Sequence, residues 1–107
     1  MKSEPQLSAQ LKKKHDNEFE LSGDLSFQTV PALSGRLHQL LNNKTSLVIN
    51  LAGVQRSDSA GVALLVDWLR QAQQQQVDLQ YSEMPEQMRS IASVGRLDEI
   101  LPLASES

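Results

Sequence analysis

The sequence predicts a single α/β domain, a mixed sheet of four to five strands with about three helices packed on it. The chain has 107 residues, room for one hydrophobic core and not two. Segments of apolar period two and period 3.6 follow one another in the order β-β-α-β-α-β-α, with a possible final strand, the pattern of strands joined by covering helices. Between the first two helical segments lies Leu47-Val48-Ile49-Asn50-Leu51, a nearly unbroken apolar run expected of a central strand covered on both faces.

Residues 1–6 are polar and include Pro5, so they are read as a flexible segment, with the domain spanning 7–107. Leu7, Ala9 and Leu11 alternate with polar residues as in a strand with one wet face. Lys12-Lys13-Lys14 is read as a solvated strand end, and His15-Asp16-Asn17 as a turn. Phe19, Leu21 and Leu25 continue the alternation, completing an antiparallel hairpin in which Gly23 marks a bulge or bend. One helix is expected next, with Ser26 or Thr29 as cap and Pro31 in the first turn. Val30, Leu33, Leu37, Leu40 and Leu41 form its apolar stripe. After the central strand, Gly53 and the loop Val54–Ser57 lead to a second helix from about Ser59 to Gln75, with the glutamines of 73–76 at its polar end. Val77, Leu79 and Tyr81 make a fourth strand. Pro85 opens a third helix carrying Met88, Ile91 and Ala92, with Gly95 as its stop, and Leu97, Ile100, Leu101 and Leu103 supply a short last strand or extended tail.

Composition excludes several classes of function. The formal net charge is −3 and the only basic run is Lys12–Lys14, which argues against a nucleic-acid surface. There is no cysteine, so disulfides, thiolate metal sites and cysteine nucleophiles are out, in keeping with a cytoplasmic location. The N-terminus lacks the apolar stretch of a signal peptide, and no window spans a bilayer. An enzyme reading would use Ser59 as nucleophile with His15 or His38 as base. The nucleophile elbow needs glycine two residues before the serine, where this chain has Ser57. No Gly-rich phosphate loop or metal-ligand spacing is present, and no cofactor is expected.

The second helix and the turn before it are the most informative stretch. At 100° per residue, Val62, Leu65, Val66, Leu69 and Ala72 fall in one arc expected to face the sheet. Leu64 lies nearly opposite, and Trp68 a quarter-turn off and one turn further on. The pair is read as a partner anchor, with burial under the tail or a loop as the alternative. Ser57, Asp58 and Ser59 sit where the first N–H groups of the helix lack partners, so an oxygen side chain there caps it. Gly61 permits close approach of another chain. A phosphate on Ser59 would add about 1.5 to 2 negative charges. The helix N-terminus tolerates that anion, while an apolar partner surface rejects it.

The stretch Leu47 to Gly61, LVINLAGVQRSDSAG, resembles the signature of STAS domains, in which a buried strand leads to Asp-Ser/Thr-x-Gly at a helix start. Asp58, Ser59 and Gly61 match that motif. Gly23-Asp24-Leu25 resembles the family's early Gly-Glu/Asp element and departs from it at Ser26. The likeness runs from about residue 17 to Leu103. It is nearest to the MlaB branch through Gly61–Leu65, Val77–Gln80 and Ile100-Leu101-Pro102. The resemblance implies a non-enzymatic interaction module in which Ser59 is a phosphorylation site or partner contact. Asp58, Ala60, Gly61, Leu64 and Trp68 would bind the partner, and Gly23 and Asp24 would form a supporting loop. The implied partner is the ATPase subunit (MlaF-like) of a phospholipid ABC transporter, or, in the antagonist branch, an anti-sigma factor acting as a serine kinase.

Overall fold

The computed structural model describes residues 8–104. The segment read as flexible, residues 1–6, lies outside the described residues. Four strands, β1 (Ala9–His15), β2 (Glu18–Leu25), β3 (Ser46–Ser57) and β4 (Asp78–Ser82), form one mixed sheet in that order. β1 pairs antiparallel with β2, while β2 with β3 and β3 with β4 are parallel. The helices are α1 (Val30–Leu33), α2 (Arg36–Leu40), α3 (Ser59–Gln74) and α4 (Glu86–Val94), followed by a 3₁₀ turn over Leu97–Glu99. The fold is the single α/β domain that the periodicity predicts.

Burial alternates along β2, β3 and β4. Phe19, Leu21, Leu25, Leu47, Ile49, Leu51, Leu79 and Tyr81 are buried, while Glu18, Glu20, Val48, Asn50, Gln80 and Ser82 between them are only half-buried. The helices therefore cover one face and leave the other to solvent. This corrects the expectation of a central strand covered on both faces. Val48 belongs to the open face, where its neighbours in register are Glu18 and Gln80. Two large apolar residues at alternate positions suffice to bury one face, and a single valine between them does not require a second layer.

β3 is also longer than its apolar run, because Val54–Ser57 continues the strand rather than forming a loop. The reason lies in its neighbour. β2 stays in register alongside it to Leu25↔Ser57, with irregularities at Glu20/Ser22 and Gly23/Asp24. Gly23 has φ +96°, and a Cβ there would strike the Ser8 carbonyl oxygen. The predicted bend at Gly23 is present.

The predicted first helix is two short ones, broken at Ser34-Gly35. Its stripe still faces inward, with Leu33, Leu37 and Leu41 buried and Val30 and Leu40 packed against them. Thr29 holds the cap position, but its hydroxyl turns back to accept from the Ser26 N–H at 2.9 Å and donate to the Asp24 carbonyl at 2.7 Å. At the other end of the chain, the left-handed residue after α4 is Arg96 (φ 59°) rather than Gly95 (φ −95°). The tail adds a single parallel bridge, Tyr81↔Leu103, covering part of the outer edge of β4.

Candidate functional site

The carboxyl ends of β2 and β3 deliver the chain to the N-terminus of α3. The Asp58 N–H donates to the Leu25 carbonyl at 3.0 Å, tying this corner to β2. Asp58 has extended backbone (φ −104°, ψ −168°), and its Oδ1 accepts from the Ala60 N–H at 2.8 Å. Asp58 is thus the N-cap among the three candidates. The Ser57 hydroxyl donates to the Asp58 carbonyl at 2.9 Å, and the Gln87 Oε1 of α4 accepts from the Ser57 N–H at 3.0 Å. With capping done by Asp58, Ser59 is exposed on the first turn, and its hydroxyl has no hydrogen-bond partner among the described residues.

Gly61 plays a different part from the one expected. It is buried, and a Cβ there would fall on the Ser57 hydroxyl and 2.7 Å from the Leu25 Cβ. The absent side chain lets α3 close onto the end of its own sheet, not onto another chain. Ala60 is half-buried beside it.

Asp24 joins this corner. It lines a polar cleft of about 320 Å³ with Ser26, Arg56, Ser57, Asp58 and Gln87. Gly23 does not line that cleft; it opens into a neighbouring hollow with Ser22 and Gly53, whose wall Asp24 shares. Both residues of the early Gly-Asp element lie within β2 and not in a supporting loop, because they pair with Val54 and Arg56 of β3.

The Leu64–Trp68 pair requires a correction. Trp68 is completely enclosed (0% exposed) and Leu64 nearly so (2%). The buried arc of α3 runs through Leu64, Trp68, Gly61, Ala72, Leu65 and Val62, while Val66 and Leu69 are half-buried. At 100° per residue, that arc is rotated by roughly 60° from the expected one. The cause is that α3 packs on the α1–α2 pair as well as on the sheet and α4. The Trp68 indole N–H donates to the Ser34 carbonyl at 3.3 Å, and the Gln71 amide donates to the same oxygen at 3.4 Å. That carbonyl lies at the α1–α2 break, where helix carbonyls lack partners. Trp68 positions α1 from within and does not face a partner directly.

On the far side of α1, its own side chains and those of α3 leave an apolar groove of about 340 Å³, with Leu64 in its lining. Phe27 stands at its edge, 73% exposed. The sequence reading missed Phe27. The available signal was an aromatic residue outside the stripe set by Val30, Leu33 and Leu37.

Below the site, the buried Tyr81 hydroxyl donates to the Leu65 carbonyl of α3 at 2.7 Å. Burial pushes its phenol well above the ordinary value, and the Asp67 carboxylate adds to the effect. The group stays protonated as a donor. His15 and His38 are both exposed. Among the described residues no three or more His, Cys, Asp or Glu side chains converge as a metal site, and no helix is long and apolar enough to cross a membrane.

A central parallel strand that leads into Asp-Ser-Ala-Gly at a helix start, on a four-stranded mixed sheet, is the arrangement of a STAS-type domain. The chain belongs to that family, for the family model described as "Mlab, STAS domain" matches residues 8–102. Three solved structures share the fold. The anti-sigma factor antagonist SpoIIAA in its unphosphorylated form superposes with a TM-score of 0.68 at 17% identity, over 92% of this chain and 89% of that one. An anti-sigma factor antagonist from Mycobacterium paratuberculosis gives 0.73 at 21%, over 92% and 85%. An anti-sigma-factor antagonist (STAS) domain protein from Planctomyces limnophilus gives 0.69 at 15%, over 96% and 93%. No curated protein matches the sequence significantly.

Proposed function

We propose that this chain is a non-catalytic interaction module that controls a partner protein through the first turn of α3, centred on Ser59 and flanked by Asp58, Ala60 and Asp24. The observation that carries the reading is the division of labour at that turn. Asp58 caps the helix, so the exposed Ser59 hydroxyl is spare for contact or modification. The partner is the cytoplasmic ATPase of an ABC transporter that moves phospholipid between membranes and maintains outer-membrane lipid asymmetry, with this chain as its accessory subunit held at the inner membrane through that partner. The MlaB-type description of the matching family model supports this choice. The second reading, an anti-sigma factor antagonist released by phosphorylation of Ser59, is favoured by the three antagonist structures of the same fold.

Affinity purification of the full chain from its source cells, followed by mass spectrometry, separates the two. An ABC ATPase together with its permease supports the first reading, and a serine kinase supports the second. Ser59→Glu tests the shared surface. The melting temperature is expected to stay within a degree or two, because the helix N-terminus accepts the anion. Binding of the captured partner is expected to fall at least about tenfold, because the charge must be desolvated at the contact. Loss of the cooperative melt would make Ser59 structural and overturn the reading.

A further inference from the structure

The groove beside the Ser59 turn has a chemistry of its own. Its walls are Phe27, Val30 and Pro31 on one side and Ala60, Leu64 and Asp67 of α3 on the other. A phenylalanine 73% exposed beside a buried leucine is an aromatic anchor that the fold itself leaves uncovered. Both walls are helix or turn, whose backbone groups are bonded internally. An extended peptide laid there would place its own N–H and C=O groups against an apolar wall without partners. A helix arrives with its backbone already satisfied. The small side chains of Ala60 and Ala63, both in the lining, allow helix axes to approach to about 8–10 Å. From Ala60 to Asp67 the floor runs about 10 Å, two helical turns.

Charge selects the occupant further. Asp67 is the one ionisable residue among the described residues that line the groove, and among those residues its exposed carboxylate accepts only from the half-buried Gln71 amide, at 2.9 Å. A cation on the incoming helix complements it. In a second copy of this chain the outward face of α4 carries Glu86, Gln87, Arg89, Ser90 and Ser93 with Val94 as its one exposed apolar side chain, so it offers a cation but not two apolar side chains three or four residues apart.

We propose that this groove receives an amphipathic helix of the partner protein, which packs apolar side chains against Phe27 and Leu64 and seats a lysine or arginine on Asp67. The proposal rests on the interaction-module reading above and specifies what that module grips.

The test places the photo-crosslinker p-benzoylphenylalanine in the full chain at position 27 or 63, and for comparison at Ser90 on α4 or Ala52 on the open sheet face. Each variant is first shown to melt like the parent, and crosslinking is done in the source cells with the captured peptide mapped by mass spectrometry. Positions 27 and 63 are expected to capture one segment of one partner, helical, with apolar residues three or four apart and a basic residue about a turn away. Asp67→Lys is expected to lower that yield at least about fivefold, and replacing the partner's basic residue by glutamate to restore it. Capture of an extended segment or of a second copy, or a yield that Asp67→Lys leaves within about twofold, overturns the proposal. Capture through Ser90 or Ala52 but not through 27 or 63 overturns the groove and leaves the module reading standing. Capture at none of the four positions removes both.

Discussion

Trp68 is the single side chain whose role the structure changes most. The ring is enclosed and its N–H holds the Ser34 carbonyl, so truncation leaves a cavity and removes one of the two donors to that oxygen. Trp68→Ala is expected to cost about 3–5 kcal/mol in urea unfolding, and a loss below about 1 kcal/mol would show that the ring is not core. Trp68→Phe separates the two contributions, since it keeps most of the ring and drops the donor. Leu64 sits between these roles, buried by burial fraction yet contributing to the groove lining. Periodicity sorts residues into arcs, but a helix packed against other helices as well as a sheet has a wider buried arc than one resting on a sheet alone.

Among the elements, the α1–α2 break and the α3–β4 contact lend themselves to measurement. Gly35 lies in the break with φ −90° and ψ −3°, a conformation open to alanine, and no atom lies within 4 Å of where a Cβ would stand. Gly35→Ala is therefore expected to stabilise the domain by about 0.4–1 kcal/mol through the unfolded chain, read as a higher urea midpoint at unchanged slope. Destabilisation would mean that the break needs glycine. Tyr81, bonded to the Leu65 carbonyl, links β4 to the middle of α3. Its phenol is raised in the fold above the ordinary value of 10.0. Between these two values the unfolded chain has released the proton and the folded chain has not, so stability falls as pH rises. The contribution is fully present below pH 10 and is lost as pH climbs from there through the raised value. Tyr81→Phe is expected to lose about 0.5–1.5 kcal/mol at neutral pH and to show a flatter alkaline decline than the parent. Equal alkaline slopes in parent and variant would assign the decline to other groups.

For the molecule as a whole, the consequential feature is asymmetry: helices on one face of the sheet, a polar open face on the other, and the Ser59 corner at the carboxyl ends of β2 and β3. Ala52→Lys on the open face is expected to change stability by no more than about 0.5 kcal/mol and to leave partner binding intact. Ile49→Ala, three residues earlier on the covered face, is expected to cost about 2–5 kcal/mol. Weakened binding in Ala52→Lys would move the interface to the open face.

Much of the fold is legible in local pattern. The hairpin shows in the alternation around His15-Asp16-Asn17, α3 in its 3.6 period and Asp58 cap, and the bend at Gly23 in a glycine that interrupts a strand. These features depend on residues close in sequence, and steric and hydrogen-bonding rules act over that range. The candidate site is legible in part, because Asp58, Ser59 and Ala60 are consecutive while Asp24 and Phe27 reach the same corner through β2 and the turn after it. What only the tertiary structure decided is which surfaces are left over. Whether Trp68 faces a partner or a neighbouring helix, whether Gly61 makes room for another chain or for Leu25, and whether Val48 is covered or open all depend on long-range packing. Apart from the Val54–Ser57 extension of β3 and the break at Ser34-Gly35, the sequence by itself determined which segments become strands and helices and where α3 begins. Burial is shared between elements distant in the chain, so the exposed surface, and with it the site, emerged only when those elements met.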